Sequence, residues 1–300
     1  MTRLRRALVD YLKTRRALGF KLTREGRWLP DFVTYLEAQR CSVVTTAMAL
    51  TWAAAAASAR PRLGSVRGFA KYLQTIEPRT EVPSLDLLPR ERPRSAPHVY
   101  SAEDLTALLA ATDVLRAPFR ATTYKTLLGL LAVTGMRVGE AIALDEADVD
   151  RRRAVLVIRK TKFGKSREVP LHTSTLQALE RYRRERDRIV PRRRSPSFFV
   201  SAAGTRLFYQ NVHELFLRLV YAAGLGSRRP RPTIHDLRHT FAIRTVLSWY
   251  RDELDVEARL PLLSTYLGHI GPSSTYWYLT AVPELLAAAT HRLERARVKL

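Results

Sequence analysis

With a single cysteine, Cys41, in 300 residues, the chain has no internal disulfide, and none of its Cys and His residues cluster at zinc-ligand spacing. A disulfide scaffold and a zinc module are both excluded, and a reducing compartment is the natural setting. An uninterrupted apolar run of about 18–20 residues is also missing, which excludes an ordinary membrane-spanning helix. The opening Met1-Thr-Arg-Leu-Arg-Arg is basic, but no apolar core of signal length follows. These absences predict a cytoplasmic protein with no membrane partner. Acidic residues are the last shortage: 28 Asp and Glu stand against 51 Lys and Arg, a net charge of +23.

A polyanion is the partner such a balance suits, because each neutralised phosphate releases counterions and adds affinity independent of sequence. Abundant arginine and alanine also fit a high-GC coding bias, but that bias does not explain the missing acids. Residues 1–99 carry +10 and residues 100–300 carry +13, so the binding surface is expected to span both halves. The chain is 46% hydrophobic and 26% charged, within the globular range, and its length suits two domains.

Apolar periodicity predicts helices over 5–20, 25–40, 45–58 and 63–76, a bundle ending near residue 77. Pro78, Pro83, Pro89, Pro93 and Pro97 then punctuate a stretch with little periodicity, read as a linker over 78–99. Its Arg90, Arg92 and Arg94 suit a phosphate backbone, as they would any solvated linker. A second domain over 100–300 opens with Ser101-Ala-Glu-Asp104, an N-cap with acids in the first turn. Further helices are expected over 124–134, 138–143, 173–188, 210–222, 235–250 and 284–297, with Pro283 at a first helical position. Residues 153–160 and 166–171 read as two strands joined by Thr161-Lys-Phe-Gly-Lys165. The expected fold is mainly α: a helical bundle followed by an α+β domain with one small antiparallel sheet.

Taken singly, the chemically able residues have ordinary explanations. Arg137 suits the surface start of a helix. His235, Arg238 and His239, at i, i+3 and i+4, share a helix face that would be a solvated polar face in most proteins. His269 suits a helix cap, and Tyr278 a core aromatic beside Trp277.

Their order and spacing tell against independence. Thr134-Gly-Met-Arg137-Val-Gly-Glu140, the hairpin ending Arg167-Glu-Val-Pro-Leu171, His235-Asp-Leu-Arg238-His-Thr, and Leu267-Gly-His269 with Tyr278 nine residues on follow one another along the chain. Together they resemble the catalytic domain of the tyrosine recombinases, the family of phage integrases and Xer-type chromosome-dimer resolvases. The motifs cover residues 100–290, and the preceding bundle matches the family's SAM-like core-binding domain in size and position.

The resemblance implies a site-specific recombinase that cuts and rejoins DNA through a 3′-phosphotyrosyl intermediate, without metal, ATP or other cofactor. Tyr278 corresponds to the nucleophile, and a phenol with a pKa near 10 needs assistance from its neighbours. Arg137 and Arg238 correspond to the clamp on the scissile phosphate, where planar guanidinium forks suit the charge of a pentacoordinate phosphorane. His235 corresponds to the general base and acid, and His269 to the second histidine at the phosphate. Lys162 is the expected acid for the leaving 5′-oxygen, with Lys160 and Lys165 as rivals. Glu140 is expected to orient Arg137.

Tyr276 competes with Tyr278, but the two lie about 200° apart on a helix, so only one faces the phosphate. The spacing from His269 favours Tyr278. Ser-Thr-Tyr-Trp-Tyr278 departs from the commoner integrase pattern and is similar to transposon-borne recombinases, some encoded in sets of three. Expected partners are therefore double-stranded DNA bearing a specific recombination site and either a homo-tetramer or a hetero-assembly with related recombinases. The amphipathic stretch Pro283–Lys299 suits a helix docked on its own domain or on a neighbouring subunit. A non-cleaving DNA-binding accessory with the same fold and a type IB topoisomerase are the other readings the sequence allows.

Overall fold

Thr2 and Thr45 start two of the first four helices by accepting backbone N–H groups, from Arg5 and Met48. The computed structural model describes residues 2–89, 96–159, 166–269, 275–276 and 290. It divides into two units, Met1–Arg94 and Ser95–Leu300. The first holds α1 (Arg3–Ala17), α2 (Glu25–Ala38), α3 (Thr46–Ala54) and α4 (Ala59–Gln74). Its core joins Leu8 and Tyr11 of α1, Phe32 and Leu36 of α2, Trp52 of α3, and Val66, Phe69 and Leu73 of α4. Gly68 lets α1 and α4 approach closely, since a Cβ there would lie 2.9 Å from the Tyr11 hydroxyl.

The proline-punctuated stretch differs from a free tether over its described part. Arg60 donates to the carbonyls of Leu85 (2.7 Å) and Leu88 (2.6 Å), and Arg67 to that of Pro83 (2.6 Å). Glu81 accepts the Thr46 N–H at the start of α3 (2.7 Å). Val82, Leu85 and Leu88 pack on the bundle's core. Prolines remove backbone donors, but two arginines of α4 reach the carbonyls that remain.

The second unit holds α5 (Ala102–Ala110), α6 (Pro118–Thr134), α7 (Val138–Ala143), α8 (Thr173–Ile189), α9 (Tyr209–Ala222), α10 (Asp236–Arg251) and α11 (Val256–Leu267). Ser101 and Asp104 cap α5 reciprocally, the N-cap read from the sequence. α6 buries side chains around much of its circumference, including Tyr124, Leu127, Leu128 and Leu131, as a helix apolar on most sides must. It packs against α8 on one flank and α10 on another. Outside that centre, the fully buried Arg186 of α8 is satisfied by Glu146, Asp187 and the Phe198 carbonyl.

Two differences from the sequence reading matter. The sheet has three strands, β1 (Val149–Asp150), β2 (Val155–Ile158) and β3 (Arg167–Pro170), in antiparallel order β1-β2-β3, where two strands were expected. α11 has no counterpart among the predicted helix ranges, although His269 reads as the cap of a helix before it, and Pro261 lies inside it. Asp255 caps its start, and Val256, Leu260, Leu263 and Leu267 bury one face against Ile243 and Val246 of α10. The stretch Pro283–Lys299, expected as an amphipathic helix, lies outside the described residues apart from residue 290. Among the described residues no helix is long and apolar enough to cross a membrane.

Candidate active site

Gly135 ends α6 in the left-handed conformation (φ +59°), and a Cβ there would lie 2.4 Å from the Phe241 ring. Only glycine makes this turn without displacing Phe241. The turn delivers Arg137 to the position just before α7, where Glu140 reaches back to it. Oε2 of Glu140 accepts the Arg137 backbone N–H (2.9 Å) and Oε1 accepts its Nη1 (2.8 Å). A second guanidinium, that of Arg167, meets the same carboxylate at 3.0 and 2.7 Å. Burial alone would raise the Glu140 carboxyl. The hydrogen bonds and charges of Arg167 and Arg137 outweigh it and hold the group below its ordinary range.

The C-terminal end of α11 gathers the two expected clamp arginines. Arg238, on the first turn of α10 and only 2% exposed, donates Nη2 to the Leu267 carbonyl (2.6 Å) and Nη1 to the Gly135 carbonyl (2.9 Å). Arg137 donates Nη2 to the next carbonyl of α11, that of Gly268 (3.0 Å). The last carbonyls of a helix lack intrahelical partners and carry partial negative charge, so cations stabilise them. Gly268 takes the left-handed cap (φ +66°), and a Cβ there would lie 2.8 Å from Nη1 of Arg167. The side chains of Arg137, Arg167 and Arg238 thus meet around one helix end.

His269 follows that end directly. Its N–H bonds the Ser264 carbonyl (2.9 Å), and its Nδ1 lies 2.8 Å from the buried hydroxyl of Thr275. Burial pushes its pKa down to about 4, and the charges of Arg238, Arg137, His235 and Arg167 push the same way. The imidazole is therefore neutral at pH 7. His235 stands exposed at the residue before α10, with its ring 4.5 Å from that of His239, edge to face. Asp236 secures this turn by accepting both the N–H and the hydroxyl of Thr233, each at 2.8 Å.

The structure therefore brings Arg137, Glu140, Arg238 and His269 together, with His235 near enough to act on His269 electrostatically. Lys162 and Tyr278 lie outside the described residues, as do the rival lysines Lys160 and Lys165. Tyr276 is described and is 45% exposed. Arg167 lies in a quoted motif without an expected role, and Thr275 is not among the expected site residues. The signal for Arg167 was strand alternation: it shares a face with the buried Val169, so its guanidinium points inward. A lone chain carries no comparable signal for Thr275. Among the described residues no group of three or more His, Cys, Asp or Glu side chains is arranged to hold a metal ion.

Comparison with known proteins places the chain in a family. The model of the Phage integrase family matches residues 99–284. The protein y4rB of Sinorhizobium fredii, provisionally assigned as an integrase/recombinase, is 44% identical over 98% of each chain. Tyrosine recombinase XerD of Caulobacter vibrioides is 30% identical over 77% of this chain and 73% of its own. Among solved structures, XerH recombinase in a post-cleavage complex with difH substrate aligns with a TM-score of 0.63 at 21% identity, covering 84% of this chain and 73% of that one. The Tn1549 transposon integrase with transposon right end DNA gives 0.63 at 17% identity, covering 96% and 98%. A lambda integrase tetramer on a Holliday junction gives 0.61 at 18%, covering 92% and 76%. These structural likenesses establish the fold. On the sequence matches and the fold together, the chain belongs to the phage integrase family and is a tyrosine-type site-specific recombinase, an enzyme that breaks and rejoins DNA.

Proposed function

We propose that the chain exchanges DNA strands through a 3′-phosphotyrosyl intermediate formed on Tyr278. The observation that carries this reading is the convergence of Arg137 and Arg238 on the carbonyl end of α11, beside the neutral His269. Two guanidiniums held from behind by fixed acceptors are preorganised for a phosphate that gains charge as it is attacked. Arg137, whose side chain is 35% exposed, presents the accessible edge of the pair.

In the forward step the Tyr278 oxygen forms a bond to phosphorus while the bond from phosphorus to the 5′-oxygen breaks. His235 accepts the phenolic proton, and Lys162 donates one to the leaving 5′-hydroxyl. Rejoining reverses both transfers, with a 5′-hydroxyl attacking the phosphotyrosine. The phosphodiester energy is kept in the covalent link, so the reaction needs neither ATP nor a divalent metal. Duplex DNA is the substrate, favoured at long range by the net charge of +23. Assembly on DNA as a tetramer, or with related recombinases, and a role in moving a mobile element complete the reading. Its fold likenesses to the lambda integrase tetramer and the Tn1549 transposon integrase support both.

The test uses a nicked duplex recovered by covalent capture from a library with a randomised core, so no site need be known in advance. A protein–DNA adduct is expected in EDTA on a denaturing gel, and none with Tyr278→Phe. An adduct that persists in Tyr278→Phe overturns the nucleophile. Binding with no adduct from the wild-type chain favours a non-cleaving accessory instead.

A further inference from the structure

Arg167 is the charged side chain of this centre to which the cleavage chemistry above gives no task. It lies at the start of β3, paired across the ladder with Ile158, on the face shared by the buried Leu156 and Val169. An aliphatic side chain would fill such a position at lower desolvation cost. We propose that Arg167 is a positioning residue for strand cleavage, fixing the Glu140 carboxylate and, through it, the Arg137 guanidinium that meets the scissile phosphate. The inference rests on the cleavage reading above.

Three observations support it. First, Glu140 is saturated only with Arg167 present. Each of its oxygens accepts two bonds: Oε1 from the Nη1 atoms of Arg137 and Arg167, Oε2 from the Arg137 N–H and Arg167 Nη2. Without Arg167 the carboxylate keeps one bond per oxygen, both from Arg137, and is free to swing with the group it should hold. Second, Arg167 sits behind Arg137. Its side chain is 11% exposed against 35%, so it braces the clamp rather than presenting an edge to DNA. Third, Arg167 packs on the peptide that steers Arg137 from the other side. Nη1 lies where a Cβ of residue 268 would come within 2.8 Å, and the Gly268 carbonyl accepts Arg137 Nη2. Arg167 thus braces both anchors of Arg137. Its Nε is buried with no hydrogen-bond acceptor among the described residues, a cost tolerated where a side chain is held for function.

The experiment compares wild type, Arg167→Met, Arg167→Lys, Glu140→Gln and the Arg167→Met/Glu140→Gln double variant. The probe is the nicked duplex captured from the randomised library. Single-turnover adduct formation, duplex binding by gel shift and thermal unfolding are read in parallel. Arg167→Met is expected to bind the duplex as wild type does but to form adduct about 100-fold more slowly, the scale of a small misplacement at a reacting centre. Arg167→Lys, which keeps the charge but not the fork, should recover part of that rate. The double variant should be no slower than the slower single one, because both break the same brace.

Cleavage by either Arg167 variant at the wild-type rate overturns the inference, as does parallel loss of binding and cleavage, or additive losses in the double variant. Should Arg167→Met not fold, Arg167→Lys decides by the same criterion, slow cleavage with unchanged binding. A wild-type chain that forms no adduct overturns the cleavage reading and this inference with it. A wild-type adduct with unaffected Arg167 variants overturns this inference alone.

Discussion

Arg238 and Arg137 donate to consecutive carbonyls at the end of one helix, Leu267 (2.6 Å) and Gly268 (3.0 Å). Neighbouring carbonyls fix the spacing of the two guanidiniums more firmly than flexible side-chain partners would. The helix end gains as well, since its orphan acceptors are satisfied by cations rather than by water. Fold and site are therefore coupled at this point.

That coupling predicts an outcome for Arg238→Lys. An ammonium cannot span the Gly135 and Leu267 carbonyls as the planar fork does, so one buried acceptor is left unmet. A stability loss of about 1–3 kcal/mol is expected from urea unfolding. Adduct formation on the nicked duplex should fall much further than this loss explains. A variant with the wild-type unfolding midpoint would show that these carbonyl bonds do not stabilise the fold.

The two left-handed glycines should separate stability from chemistry. Gly135→Ala places a Cβ 2.4 Å from the Phe241 ring, and Gly268→Ala places one 2.8 Å from Arg167 Nη1. Each also carries the left-handed backbone penalty of about 1–2 kcal/mol. Displacing Phe241 disturbs packing, so Gly135→Ala should lower the melting temperature more. Displacing Arg167 disturbs the Glu140 brace, so Gly268→Ala should slow cleavage more. Equal effects of the two variants on both readouts would refute this division.

Much of this centre was legible because its chemistry comes in short local motifs. Arg137 with Glu140, and His235 with Arg238, are three apart, within one helical turn. What was not legible depends on contacts distant in sequence. α11, absent from the predicted helix ranges, forms because its apolar face packs on α10 in spite of Pro261 within it, an override of local propensity. The prolines after residue 77 suggested a tether, whereas Arg60 and Arg67 hold that segment from the preceding helix. Arg167 was quoted in a motif with no face or role assigned, and its partner Glu140 lies on another element. β1 is two residues long, too short for any periodicity.

His269 predicts the pH dependence of folding. Its imidazole is depressed to about 4 in the folded chain, by burial first and then by the surrounding cations, against an ordinary value of 6.5. Between those values the unfolded chain holds a proton that the folded chain does not. Stability from this group therefore rises with pH through the window, falls as pH drops from 6.5 toward 4, and is level above it. Urea unfolding of wild type and His269→Asn across that range should show the steeper acid loss in wild type. Parallel curves would mean that the histidine is not depressed.

Thr275 predicts which nitrogen of His269 carries the proton. A neutral imidazole has one N–H, and the Thr275 hydroxyl lies 2.8 Å from Nδ1. With the hydroxyl donating to Nδ1, the hydrogen sits on Nε2, which then faces away from Thr275 as a donor suited to a phosphate oxygen. The opposite arrangement leaves Nε2 an acceptor, which a phosphate oxygen would repel. Thr275→Val keeps the shape and removes the hydroxyl, so both tautomers become populated. Adduct formation is expected to slow about tenfold, roughly 1.4 kcal/mol, with duplex binding unchanged. Thr275→Ser should restore the rate, and nitrogen-15 shifts of His269 should report Nε2 protonation in wild type and Ser but a mixture in Val. A Val variant that keeps both the wild-type rate and the wild-type shifts would place the control of this histidine elsewhere.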